Sequence, residues 1–400
     1  MPPCTRTEAA HRGIADRALI AAFVLSLMVP ALVMLAARAG RPIQARVTTE
    51  PAPAFGPGLK KMIGYPWAYC AWFRDHFGLR RCLIRWHARM QMGVFNVSSS
   101  KEVIVGKNGW LYYSGDNGTE IDEYRCVNPF TEAELERARQ ALEARQTWLA
   151  RRGIQFVFMV APDKAEVCSE HLPQWLKRVG TQSRLDQLIS YLRAHSTINV
   201  LDVRPALLAA KERRPVFYKT DTHWNEFGAF IAYQQLAQKL RASFPEYKPE
   251  SLADYDLVEA DRPGGDLARL LGMQDQIQEK VVRLCPLKPR QAQWLQQPVN
   301  SEGRDVRFES ITSSCCKSGE VPRAVVFRDS FAVALLEFLG EHVGHMTSVW
   351  STVFDLELIE REKPNVVIFE LVQRRLRSKG ALTETRPGLE RGALLSDASP

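Results

Sequence analysis

The chain has 400 residues, 46% hydrophobic and 24% charged, enough apolar material for one large core or two ordinary ones; this excludes disorder as the main state. Its net charge of +8 comes without a long basic run, so nucleic acid is not an expected partner and an anionic polymer is. The eight cysteines contain no C-x-x-C pair, which argues against a structural zinc site; no metal or cofactor is expected.

The first strong element is Ala18–Ala37, twenty residues without a charge, about the length that crosses a bilayer. It is read as an uncleaved transmembrane anchor after a cytoplasmic tail, residues 1–17, rather than as a signal peptide, whose apolar stretch is usually shorter. That orientation puts the body of the chain outside the cytoplasm, where some of the seven following cysteines would pair. Residues 38–64 are rich in Pro, Gly and Ala and read as a linker. Tyr65–Met92 is predicted helical, with RRCLIRWHAR (Arg80–Arg89) as a basic amphipathic helix. Glu102–Gly106 and Trp110–Tyr113 read as two strands around a Lys-Asn-Gly turn.

A capping box at Thr131 opens a helix to Arg152, and the apolar run Ile154–Val160 follows as a doubly buried strand. Helix Thr181–His195, strand Ile198–Val203 and helix Glu226–Leu240 continue the alternation. So do strand Arg323–Phe327, helix Ser330–Gly340, strand Gly344–Trp350, helix Glu357–Lys363 and strand Asn365–Val372. Strands alternating with helices predict an α/β fold, a doubly wound parallel sheet in a domain spanning 65–376. Residues 251–318 break the pattern and read as an insertion; 377–400 read as a flexible tail.

Two segments carry chemistry. In Tyr218-Lys219-Thr220-Asp221-Thr222-His223-Trp224-Asn225, Asp221 and His223 are two apart, and in an extended stretch such residues share a side. The carboxylate would then orient the imidazole, with Trp224 shielding the pair. In Val325-Val326-Phe327-Arg328-Asp329-Ser330-Phe331, Ser330 sits where a buried strand turns into a helix, at the carboxyl end of the sheet where α/β sites form. Backbone N–H groups there could hold an oxyanion. Each segment alone is compatible with an ordinary helix cap; together they supply the nucleophile, base and acid of acyl transfer.

At these residues the chain resembles the SGNH-hydrolase-like polysaccharide O-acetyltransferases, the alginate O-acetylation proteins and their relatives. The resemblance rests on GKNGWLYYSGD, VAPDKAEVCSEHLP, KTDTHWNEFGA, FRDSF and VVIFELVQRR, the DTHWN and RDSF pair being the specific part. It implies an SGNH-like fold and catalytic roles for Ser330, His223 and Asp221. It further implies anchoring to the inner membrane with the catalytic domain in the periplasm. A membrane-bound acyltransferase would supply acetyl groups there, and an acidic or neutral exopolysaccharide would accept them. Arg328 replaces the family's glycine, and Lys164 matches a recurrent position; with Trp224 and Tyr218 they are the expected substrate-binding residues. The alternatives are a carbohydrate acetyl esterase using the same triad, with water as acceptor, and a catalytically inactive polysaccharide-binding scaffold.

Overall fold

The computed structural model describes residues 16–25, 28–29, 32, 53–54, 59–76, 80–95, 97–115, 118–294, 312–315, 322–378 and 380–386. The apolar run 18–37 lies only partly within them, and among the described residues no helix is long and apolar enough to cross a membrane. The chain divides into a unit of residues 1–95 and a unit of residues 96–400.

The first unit contains helices α1 (Leu59–His76) and α2 (Arg80–Val94), so the predicted helix over 65–92 is two. The second unit opens with an antiparallel pair, β1 (Val103–Val105) and β2 (Leu111–Tyr113). Asn108 and Gly109 both take positive φ in their turn, at 55° and 79°, a conformation these two residue types tolerate best. Helices α3 (Thr119–Arg125) and α4 (Glu132–Ala150) follow, α4 with its predicted capping box between Thr131 and Glu134.

The alternating core then runs β3 (Gln155–Ala161), α5 (Lys164–Val167), α6 (Arg184–His195), β4 (Val200–Asp202), α7 (Arg204–Lys211) and α8 (Glu226–Ser243). Helix α6 starts after Thr181 because Ser183 and Asp186 cap each other across its first turn. The described residues of 251–318 form regular elements. They hold a long antiparallel pair, β5 (Tyr255–Pro263) and β6 (Gln278–Pro286), bracketing helix α9 (Asp266–Leu270). They also hold two short strands, β7 (Gln293–Trp294) and β8 (Thr312–Cys315). The chain closes with β9 (Arg323–Arg328), α10 (Ala332–Leu339), β10 (His345–Trp350), β11 (Phe354–Asp355), α11 (Leu356–Glu362), β12 (Val366–Val372) and β13 (Thr385–Arg386).

The main sheet has the order β4-β3-β12-β9-β10-β8-β7. Its first five strands are mutually parallel; β8 and β7 are antiparallel additions at one edge, so the predicted parallel sheet is mixed. Every residue of β12 is buried, as its near-continuous apolar run requires of a central strand covered on both faces. Alternate side chains feed two cores. Val157, Met159 and Ala161 join Trp224, Phe230, Tyr233 and Leu335 on one face; Phe158 and Val160 join Leu142, Leu149, Leu188 and Ile359 on the other. The segment beyond 376, expected as a loose tail, is tied in as far as Arg386. The buried Arg145 guanidinium lies 4.9 Å from the ring centroids of both Phe354 and Phe369 and donates to the Glu384 carbonyl, while β13 pairs with β11. The predicted tail beyond 386 falls outside the described residues.

Candidate active site

Three neighbouring parallel strands end at one edge of the sheet, and each is followed at once by a functional group: β3 by Asp163, β9 by Ser330 and β12 by Arg374. Asp329 fixes the turn that carries Ser330. Its Oδ1 accepts the Phe331 N–H at 2.9 Å and its Oδ2 accepts the Val372 N–H at 2.6 Å, tying the ends of β9 and β12 together. Its own N–H donates to Glu370 Oε2 at 3.1 Å.

Asp221 and His223 meet in a tight bend between Phe217 and Trp224, which form an isolated bridge, rather than along the extended stretch expected. Asp221 Oδ1 accepts both the His223 N–H at 3.1 Å and, from the same residue, Nδ1–H at 2.7 Å, an Asx-type turn closed by the imidazole itself. That bond assigns the proton to Nδ1 and leaves Nε2 as an acceptor. Nε2 is buried and has no hydrogen-bond partner among the described residues. Burial disfavours an ionised Asp221, but the hydrogen bond and charge of His223, with those of Arg262, outweigh it and hold its pKa well below the usual range.

The β5–β6 insertion completes this arrangement. Arg262 Nη2 donates to Asp221 Oδ2 at 2.8 Å. Glu279 accepts from the N–H groups of Lys219 and Thr220 and from the Thr220 hydroxyl, at 2.7, 3.3 and 2.9 Å. Asp266 accepts from the Thr222 N–H at 2.7 Å and hydroxyl at 2.5 Å, and its Oδ2 lies 3.6 Å from His223 Nδ1. Burial and the neighbouring Asp221 charge raise the Asp266 pKa. Ligand atoms of Asp221, His223 and Asp266 lie within 4.8 Å of one another, close enough to hold a cation. Asp221 already pairs with Arg262 and holds the His223 imidazole through Nδ1–H, and Asp266 already accepts from Thr222, so the set fits a hydrogen-bonded cluster better than a cation site.

Ser330 and His223 line two cavities that meet at their shared wall, which also includes Asp266 and Arg269. The larger, about 900 Å³, is bordered by Tyr218, Trp224, Arg262, Arg283 and Trp350. The smaller, about 600 Å³, is bordered by Tyr113, Thr119, Arg374, Arg375 and Arg377. Arg374 donates to Asp163 at 2.7 Å, approaches Glu120 at 3.8 Å and lies 5.2 Å from the Phe331 ring centroid. Burial raises the pKa values of Glu120 and Asp163 despite this guanidinium.

The structure places the other sequence candidates unequally. Trp224 is buried, donates from Nε1 to the Phe331 carbonyl at 3.0 Å and packs edge-on to the Phe331 ring, joining the histidine segment to the serine turn. Tyr218 borders the larger cavity, its ring covered by Arg262 at 3.9 Å; burial pushes its hydroxyl pKa up to about 12. Arg328 is fully buried with its guanidinium 5.5 Å from the Trp350 ring and borders neither cavity. Lys164 borders neither as well. Its buried ammonium donates to the carbonyls of Leu111, Lys219 and Asp221 at 2.7, 2.8 and 3.0 Å, with burial lowering its pKa to about 8. It supports the backbone under Asp221. Arg262, Asp266, Glu279 and Arg374 were not singled out from the sequence; Arg374 does lie in the VVIFELVQRR segment.

Residues 103–303 match the family model described as the SGNH hydrolase-like domain of acetyltransferase AlgX. The probable alginate O-acetylase AlgJ of Pseudomonas aeruginosa is 22% identical over 329 residues, 77% of this chain and 79% of that protein. The AlgJ of Pseudomonas syringae is 28% identical over 205 residues, 50% of this chain and 48% of that one. Bacillus cereus PatB1 shares the fold, with a TM-score of 0.51 at 18% identity over 68% of this chain and 96% of that one. The chain belongs to this family of SGNH hydrolase-like acetyltransferases and is an O-acetyltransferase.

Proposed function

We propose that the chain transfers acetyl groups onto hydroxyls of an exported polysaccharide, with Ser330 as nucleophile, His223 as general base and acid, and Asp221 as the carboxylate that orients it. The observation that carries this reading is the 2.7 Å Asp221–His223 bond, which leaves a buried basic Nε2 in a cleft that Ser330 also lines. His223 Nε2 takes the Ser330 proton as Oγ bonds to the acetyl carbonyl carbon, and returns it to the donor's leaving group as the bond between that group and the acetyl carbon breaks. A sugar hydroxyl then gives its proton to Nε2 as its oxygen bonds to the acetyl carbon, the bond from that carbon to Ser330 Oγ breaks, and Nε2 passes the proton to Oγ. The N–H groups of Asp329 and Phe331 are engaged by Glu370 and Asp329, so the N–H of Ser330 itself is a donor this turn can offer an oxyanion.

The names of the relatives support an alginate-like acidic polymer as acceptor. The arginines around both cavities fit such a polymer. The apolar run 18–37 supports an inner-membrane anchor with the catalytic unit in the periplasm, beside a membrane-bound acyltransferase that supplies acetyl groups. Ser330→Ala should abolish acetyl transfer to an acidic oligosaccharide while leaving the circular-dichroism melt unchanged. Retained transfer in that variant would overturn the triad. Acetate release that ignores added oligosaccharide would make the enzyme an esterase instead.

A further inference from the structure

Helix α2 presents two chemically different stripes. Leu83, Trp86, Met90 and Val94 recur at spacings of three and four, so they line one side of the helix. Leu83, Trp86 and Val94 are 52%, 63% and 72% exposed, although each is a large apolar group. Arg85 and Arg89, four apart, fall on the other side, and α2 contains no acidic residue. Helix α1 adds Ile63, Trp67, Tyr69 and Phe73, all exposed. Exposed apolar clusters of this kind mark contact surfaces. The combination here is specific: tryptophan and tyrosine favour the boundary between water and acyl chains, and arginine favours anionic headgroups. The same chain carries the uncharged run Ala18–Ala37 before these helices, so a bilayer is the apolar phase at hand.

We infer that α2, together with α1, lies flat on an anionic lipid bilayer, with Leu83, Trp86, Met90 and Val94 in the acyl boundary and Arg85 and Arg89 among lipid phosphates. This surface and the acetyl-transfer site draw on different residues, and the proposal stands or falls independently of that site. Length does not count against such helices; a polar, basic face opposite an apolar one is the diagnostic arrangement.

The test is amide hydrogen exchange of the full chain on vesicles of phosphatidylcholine alone and on equimolar phosphatidylglycerol and phosphatidylcholine. Any apolar anchor contributes equally to both samples, so the difference reads the interfacial helices. Exchange across Arg80–Val94 should slow by about tenfold or more on the anionic vesicles, since each basic residue at such a surface contributes roughly a fivefold preference. Arg85→Gln with Arg89→Gln should remove the difference between the lipids. Leu83→Ser with Trp86→Ser should remove protection on both. Acetyl transfer to a soluble oligosaccharide should be unchanged in either double variant. Equal exchange on the two lipids would overturn the proposal. So would protection that exists without lipid and survives both double variants, because a protein surface would then cover the helix.

Discussion

At the scale of single residues, the fold buries carboxyl groups of opposite character. Asp221 is kept ionised by His223 and Arg262, whereas Glu123 on α3 is pushed up to about 7, chiefly by burial, even with Arg184 3.6 Å away. The sign of the resulting pH dependence is fixed. Between its ordinary value of 4.5 and about 7, Glu123 binds more proton in the folded than in the unfolded state, so stability falls as pH rises through that window and levels off above it. Glu123→Gln keeps an acceptor for the Arg184 N–H and removes the cost of ionisation. It should therefore raise the melting temperature at about pH 8, by at most roughly 3 kcal/mol of unfolding free energy, and leave it unchanged at about pH 4. Thermal melts of both proteins across that range check this; a variant less stable at the higher pH would refute it. Lys164 and Arg328 carry a different lesson. A cation next to a strand end looks the same in sequence whether it faces substrate or a wall of carbonyls, and here both are buried in the frame of the site.

At the scale of elements, the insertion between α8 and the serine strand acts as a clamp on the Asp221–His223 bend. Gly265 shows how closely the two meet: a Cβ there would stand 2.5 Å from both Asp221 Cβ and Oδ2, inside any tolerable contact. Gly265→Ala should push the Asp221 carboxylate off His223 Nδ1. The expected result is a kcat about a hundredfold lower with KM little changed, because a displacement of about 1 Å has that effect on an aligned site. Steady-state kinetics with a soluble acceptor would show it, and an unchanged kcat would mean that the clamp is slack. This clamp was illegible in the sequence for a physical reason. Strand β5 keeps most of its side chains in solvent, so it lacks the apolar period that announced β3 and β12, and Arg262 and Asp266 gain their roles only through tertiary contact. By contrast, the five parallel strands of the sheet, the cap of α4 and the Asp-x-His spacing are local patterns, and those could be read directly. The capping residues of α6 shifted its start because side chains, not propensity, set where a helix begins.

At the scale of the whole molecule, the division at residues 95 and 96 predicts that the catalytic unit is self-sufficient. Both cores on the faces of the sheet, and every residue of the proposed triad, lie in 96–400. A chain starting at Asn96 should melt in one transition and label at Ser330 with a serine-reactive phosphonate. Calorimetry and mass spectrometry of the labelled peptide would settle it; a broad, non-cooperative melt would mean that the first unit is needed for folding. The two cavities that share His223 and Ser330 also bear on the product. Cavities on either side of one serine leave room for sugar units before and after the unit that is modified, so a chain end is not required there. Interior sugar units would then be as reachable as terminal ones, and the spacing of acetyl groups along the finished polymer would record where the strand came to rest rather than where it was threaded.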